Sequence, residues 1–211
     1  MKIILFGPQG VGKGTYGAMI SEKYGIPLLG AGDMLREAIK KGTEIGKTAQ
    51  QYINQGKLVP PKVIAQVVEE KIKQQDSKKG YILDGFPRNL EQDKLFNVIK
   101  DADFVFEFTA PRELLMMRLT GRRICKNCGA VYNIFPEMDP HPKKEGKCDK
   151  CGSEIYQRED DNEEAIKKRL TIYDQETMPI LKKYKNKVIK VESKGKPEEI
   201  VKKVLAIIEK E

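Results

Sequence analysis

The sequence of 211 residues holds one histidine, His141, and four cysteines, and no apolar run in it approaches the roughly 20 residues that a membrane-crossing helix requires. The lone histidine stands in a Pro- and Lys-rich stretch and reads as a solvated loop residue. No local signal supports a Ser-His-Asp or Cys-His catalytic arrangement. The opening segment MKIILFG has too few apolar residues before its glycine for a signal peptide, so a cytoplasmic protein is expected, with no membrane partner. Apolar residues at 39%, charged residues at 33% and 18 glycines exclude disorder and collagen. A chain this long buries about 70% of its unfolded surface, so one compact domain with an insert needs no disulfides.

Positive charge is in excess, with 39 Lys plus Arg against 31 Asp plus Glu, a formal charge of +8. Such a balance suits polyanions, nucleic acid among them. Lys scattered among Glu also describes a plain soluble surface, and a basic site serves small polyphosphates equally well.

The pattern along the chain is that of an α/β sheet. Ile3 to Phe6 form a continuous apolar run of the buried parallel type, and Tyr16, Met19, Ile20 and Tyr24 then recur at helical spacing. Further strands are expected at Pro27–Leu29, Tyr81–Leu83, Phe104–Phe108 and Val188–Val191. Residues 31–75 hold no good strand and read as three helices. Between Arg122 and Arg158 the pattern breaks into Gly, Pro, Cys and Lys, too long for an unsupported loop. A long amphipathic helix marked by Ile166, Leu170 and Tyr173 follows, and a last helix carries Ile200, Val201, Val204, Leu205 and Ile208 on one face.

The strand-to-helix joint reads Gly7-Pro8-Gln9-Gly10-Val11-Gly12-Lys13-Gly14-Thr15. Glycines let successive N–H groups turn inward, the helix start adds unpaired N–H groups, and Lys13 supplies a mobile charge, which together make a polyphosphate cradle. The usual pattern puts Ser or Thr directly after Lys; here Gly14 intervenes and Thr15 is the candidate hydroxyl. Downstream, Asp84 ends a strand and precedes Gly85, Phe86, Pro87 and Arg88, at the sheet edge where open sheets bind ligands. Asp84 suits a magnesium-bound water, and Arg88 offers a fork of donors to a second phosphate. Arg36, Arg118, Arg122, Arg123, Arg158 and Arg169 form a wider set, with Arg122, Arg123 and Arg158 flanking the insert, so that an insert closing over the sheet edge carries positive charge to the phosphates. A phosphate acceptor is already ionised and needs positioning more than a base, which fits many arginines and one idle histidine.

All four cysteines lie in the insert as Cys125-x2-Cys128 and Cys148-x2-Cys151. Two such knuckles fit one tetrahedral, structural zinc, favoured in a cytosolic protein over two disulfides, and four ligands leave no open position for chemistry.

These segments together resemble the adenylate kinase family, in its long form with a zinc-binding lid, over essentially the whole chain. The resemblance is carried by Gly7–Thr15, Gly32-Asp33-Met34-Leu35-Arg36, Leu83-Asp84-Gly85-Phe86-Pro87-Arg88, Gly121-Arg122-Arg123, the four cysteines and Arg158-Glu159-Asp160-Asp161. It implies a P-loop three-layer α/β/α fold with a central parallel five-stranded sheet. The core would be residues 1–30, 61–121 and 159–211, with a nucleoside-monophosphate-binding subdomain at 31–60 and the lid at 122–158. It implies reversible transfer of the terminal phosphoryl group of MgATP to AMP, giving two ADP, by a cytoplasmic monomer that binds no nucleic acid. Gly10, Val11, Gly12, Lys13, Gly14 and Thr15 would hold the ATP phosphates. Arg122, Arg158 and Arg169 would stabilise the phosphoryl group in transit, with Arg123 a further lid donor and Arg118 against the ATP adenine. Arg36 and Arg88 would hold the AMP phosphate beside Gly85. Gln92, Ala31 and the backbone at Lys57 and Val59 would surround the AMP base. Asp84 would organise Mg through water, and Asp160 and Asp161 would orient the lid arginines. Two features depart from the family pattern. Gly30 and Ala31 stand where a Ser-Thr pair is usual, removing a donor near the AMP base, and the stretch after Asn133 is longer than the pattern. The alternatives are another nucleoside-monophosphate kinase with a different donor or acceptor base, and a zinc-ribbon nucleic-acid-binding nucleotide switch.

Overall fold

The computed structural model describes residues 1–54, 59–74 and 79–210. Five parallel strands form the central sheet: β1 (Lys2–Phe6), β2 (Leu28–Gly30), β3 (Tyr81–Asp84), β4 (Phe104–Thr109) and, near the end of the chain, β8 (Val188–Glu192), in the order β2-β3-β1-β4-β8. The apolar run of β1 is continuous because both of its faces are covered. Ile3 and Leu5 pack with Tyr16, Ile20, Phe106, Leu119, Val201 and Val204, while Ile4 and Phe6 pack on the other side with Met34, Leu83, Phe86, Val105 and Ile180. Helices α1 (Lys13–Tyr24), α6 (Arg112–Thr120) and α9 (Pro197–Ile208) supply residues to the first layer. The expected strands thus form, each within one or two residues of its reading, and β2 ends at Gly30 rather than Leu29.

Helices α2 (Ala31–Lys40), α3 (Glu44–Asn54) and α4 (Pro61–Gln74) occupy the interval between β2 and β3, and α5 (Leu90–Phe96) follows β3. Asn89 caps α5, its Oδ1 accepting from the Gln92 N–H at 2.9 Å. The insert is more ordered than its composition suggests. β5 (Arg122–Cys125), β6 (Val131–Asn133) and β7 (Ile155–Tyr156) make a small antiparallel sheet in the order β6-β5-β7. Strands of two to four residues are too short to show alternation, which is why the pattern hid them.

The single long helix expected after the insert is divided. α7 (Glu163–Ile172) runs into a wider π-helical turn, Tyr173–Thr177, and then α8 (Met178–Lys183). Pro179, at the start of α8, has no N–H to give to the residue four before it, and its ring crowds that carbonyl; the wider turn relieves both. The Thr177 hydroxyl of this turn donates to Arg88 O at 2.8 Å. Among the described residues no helix is long and apolar enough to cross a membrane.

The registry sets the place of the site. Leu5 pairs with Asp84 and Gly30 with Asp84, so the loops leaving β1, β2 and β3 emerge side by side at one edge of the sheet.

Candidate active site

A cleft of about 1280 Å³ opens over that edge. Its lining includes Gly10, Gly12, Lys13, Gly14, Thr15, Asp84 and Gly85 together with Arg36, Arg88, Arg118, Arg122, Arg158 and Arg169. Segments far apart in the chain therefore contribute to one cationic space.

Lys13 opens α1, and its Nζ donates to Gly7 O at 2.7 Å and Pro8 O at 3.1 Å, with Asp84 Oδ1 3.9 Å away. Burial pulls the lysine below its usual pKa and pushes the Asp84 carboxyl above its own, each opposed by the other's charge. Arg88 is open to the cleft yet surrounded by protein. Burial is the main cause lowering its pKa, Asp84 works against it, and Arg36 and Arg169 add to it. Its Nε donates to Gly85 O at 2.9 Å. Arg158 is likewise lowered, first by burial and then by Arg36 and Arg122, and lies 3.9 Å from Asp33, which also pairs with Arg36. Cations grouped in this way suit an anion of high charge density.

Two of these arginines are held by one carboxylate. Asp161, with no exposed side-chain surface, accepts from Arg122 Nε at 2.8 Å and Nη2 at 2.6 Å, and from Arg169 Nη2 at 2.9 Å. Asp160 Oδ2 accepts from Arg169 Nη1 at 2.8 Å. Because Arg122 begins the insert and Asp161 follows it, this pairing also ties the base of the lid to the core. Replacing Asp161 with alanine leaves two mostly buried guanidiniums facing each other. We expect a loss of about 3 kcal/mol in unfolding free energy by urea titration and a fall of about 100-fold in kcat from misplaced donors. An unchanged kcat would show that both arginines keep their aim without it.

Gly121 lets the lid sit close. A Cβ there would lie 2.1 Å from Asn133 Oδ1 and 2.6 Å from the Phe135 ring. Asn133 Nδ2 in turn donates to Arg118 O at 3.2 Å, and Ile134 N to Gly121 O at 2.9 Å.

Some expected contacts are turned elsewhere. Gln92 is 3% exposed, its Oε1 accepts from the Arg88 N–H at 2.7 Å, and it is not among the residues lining the cleft. Arg123 directs Nη1 at Thr120 O and Arg122 O, 3.3 and 2.8 Å away, and lies outside the lining as well. Ala31 is buried in the second core layer, and Val59 stands outside the cleft lining. Lys57 falls outside the described residues. Val11 is fully buried and contributes its carbonyl inward, while His141 is exposed, its Nδ1 3.0 Å from Asn133 O. Sequence reasoning passed over Ser193, which binds Val11 and Arg118, because a lone serine after a strand carries no motif.

The four cysteines form a separate centre in the lid. Their Sγ atoms all lie within 4.8 Å of one another, with Cys125 to Cys151 at 3.4 Å and Cys128 to Cys148 at 3.5 Å. Four thiolates around a tetrahedral zinc stand about 3.8 Å apart, from Zn–S bonds of about 2.3 Å. The set therefore fits that ion, and none of the four is in a disulfide. The Tyr132 hydroxyl lies 3.4 Å from Cys148 Sγ and accepts from Asp149 N at 2.8 Å, an outer contact that fixes the Cys148 side chain. Asp84 and Thr15, both in the cleft lining, are oxygen donors of the kind that suits Mg bound with phosphates.

A glycine-lysine loop at the switch point of a parallel sheet, sharing one cleft with six arginines, defines a nucleotide-dependent phosphotransferase. Comparison with known families agrees: residues 5–189 match the family described as adenylate kinase. The chain is 46% identical to an adenylate kinase of Archaeoglobus fulgidus, over 100% of this chain and 99% of that protein. It is 45% identical to one of Thermodesulfovibrio yellowstonii over the full length of both, and 46% identical to one of Clostridioides difficile over 92% and 91%. The chain belongs to the adenylate kinase family. The reaction this membership carries is the reversible transfer of a phosphoryl group from ATP to AMP, giving two ADP.

Proposed function

We propose that this chain performs that transfer with MgATP held by the Gly7–Thr15 loop and Lys13, and with the AMP phosphate held by Arg36 and Arg88. Arg122, Arg158 and Arg169 neutralise the group in transit, and Arg118 lies on the base side of the donor. The observation that carries this reading is the convergence of Lys13 and these six arginines on one cleft. The acceptor phosphate is ionised near neutral pH, so the residues have to align it with the donor and offset the charge on the oxygens between them. The lid covers the cleft and excludes water, so that the phosphoryl group passes to AMP rather than to hydrolysis. Asp84 and Thr15 would hold Mg with ATP, and that ion would supply further charge neutralisation on the phosphates. Cys125, Cys128, Cys148 and Cys151 would hold a structural zinc, and that ion would staple the lid. The same reading makes the protein a cytoplasmic monomer.

Acceptor selectivity follows from what surrounds the base. Gly30 lines the cleft without a side chain, Ala31 is buried, and Gln92 is 3% exposed and outside the lining, so the acceptor base meets few side-chain donors among the described residues. Purified protein is expected to form ADP only when ATP, AMP and Mg are all present. A matrix of donors and acceptors is expected to show AMP preferred over other monophosphates, by a margin smaller than a side-chain reader of the base would give. Absence of ADP formation overturns the proposal, and a higher rate with a different acceptor would reassign the enzyme to that nucleotide.

A further inference from the structure

Tyr16 and Ser193 form a buried chain of hydroxyls that ends on the Gly7–Thr15 loop. Tyr16 and Ser193 are 2% and 0% exposed and 177 positions apart in sequence, yet their side-chain oxygens lie 2.5 Å apart. Ser193 Oγ is 2.6 Å from the carbonyl oxygen of Val11. Arg118 Nη1 stands 3.1 Å from that carbonyl oxygen and 3.1 Å from Ser193 Oγ, and its Nη2 is 3.3 Å from Ser193 O. Counting protons fixes the direction of the chain. A carbonyl only accepts, so the single hydroxyl proton of Ser193 goes to Val11 O; Ser193 Oγ then accepts from Arg118 and from Tyr16, whose hydroxyl is the donor. The hydrogen bonds run from Tyr16 through Ser193 to Val11 with every member satisfied.

We propose that Tyr16 and Ser193 are positioning residues for the donor nucleotide, turning the Val11–Gly12 peptide so that its N–H faces the phosphates. Among the described residues the cis bonds are at Phe86–Pro87 and Asp139–Pro140, so the Val11–Gly12 peptide is trans. In a trans peptide the C=O and the next N–H point to opposite sides. Drawing Val11 O inward to Ser193 therefore sends the Gly12 N–H outward, into the cleft that Gly12 lines. The Tyr16 ring supports the same turn from below. A Cβ on Gly12 would sit 2.5 Å from Tyr16 Cζ, and the φ of +107° at Gly12 is one that side-chain-bearing residues rarely adopt. Ser193 clamps Arg118 as well, so one hydroxyl sets both the phosphate-facing peptide and the arginine on the base side. This orientation acts on catalysis only where the donor's phosphates occupy the loop, as proposed above.

Tyr16→Phe removes one oxygen and keeps the ring, whereas Ser193→Ala removes the central hydroxyl and leaves the Tyr16 hydroxyl without an acceptor. Steady-state kinetics with ATP and AMP varied separately, and melting temperatures read alongside, test both variants. Ser193→Ala is expected to raise KM for ATP about tenfold and Tyr16→Phe about threefold, with KM for AMP changing by less than about twofold. Because the chain passes through Ser193, the double variant is expected to be no worse than Ser193→Ala alone. A lowered melting temperature with both KM values unchanged, equal shifts for the two nucleotides, or an additive double variant would each overturn the proposal. If instead the unaltered enzyme forms no ADP, it is the transfer reading that falls. Calorimetric binding of ATP to the unaltered protein and to Tyr16→Phe then still decides the role of the hydroxyl, equal affinities being the result against it.

Discussion

Lys13→Met is expected to lose about 1000-fold in kcat, with a smaller effect on KM for AMP. Methionine keeps the length of the lysine stem and removes the charge, so the variant isolates the ammonium. That ammonium stands at the mouth of α1, 2.7 and 3.1 Å from two carbonyls of its own loop and 3.9 Å from Asp84. It is 13% exposed, so water screens it little, and an interaction there with a phosphate oxygen is worth far more than on the surface. On the proposed reading the charge that builds between donor and acceptor falls next to it, so the loss is expected in kcat and not merely in binding. AMP is held by Arg36 and Arg88 on the proposed reading, so its KM moves less. Turnover measured with saturating ATP and AMP is the check, and a loss below about tenfold would remove Lys13 from the transfer and leave it as a loop brace. The folded state should survive the change, since the backbone of the loop is fixed independently by Ser193 and Arg118 at Val11.

Much of the candidate site was legible because the residues that line it are local in sequence. Strand, glycines, Lys13 and helix follow one another within Lys2–Tyr24, and Asp84 and Arg88 lie in one run at a strand end. The paired cysteines declared themselves by spacing alone. What was not legible depends on pairings between distant segments. Tyr16 read as one apolar position on a helix face, and only the return of β8 beside β4 brings Ser193 to it. The family resemblance placed Gln92 and Arg123 by motif, but a motif fixes the Cα position and leaves the side chain to local competition. For Gln92 the competing donor is the Arg88 N–H, and for Arg123 the competing acceptors are the carbonyls of Thr120 and Arg122. The division of the helix after the lid had a sequence cause in Pro179, visible once the missing N–H is counted.

Removing zinc, or replacing Cys148 with serine, is expected to unfold the lid while the parallel sheet stays intact. The lid's own apolar cluster consists of Cys125, Tyr132, Cys148 and Ile155, with Ala130 against it, and two of those four belong to the proposed zinc centre. A cluster so small cannot offset the entropy of ordering residues 122–158, and on the proposed reading the metal supplies the difference. Structural zinc contributes about 10 kcal/mol or more in isolated small domains. With part of that shared by the β5–β6–β7 ladder and by Arg122–Asp161, a loss of about 4 kcal/mol remains a conservative expectation. In a chain of this length it lowers the melting temperature by about 10 °C. Elemental analysis should find about one zinc per chain, and hydrogen exchange after chelation should accelerate in residues 122–158 and not in β1, β3 or β4. Because Arg122 and Arg158 bracket the lid, turnover should fall with its unfolding, while the loop around Lys13, built on β1 and α1, keeps its affinity for ATP. A chelated protein whose exchange is unchanged across the lid would show that the cysteine centre is not what holds it folded.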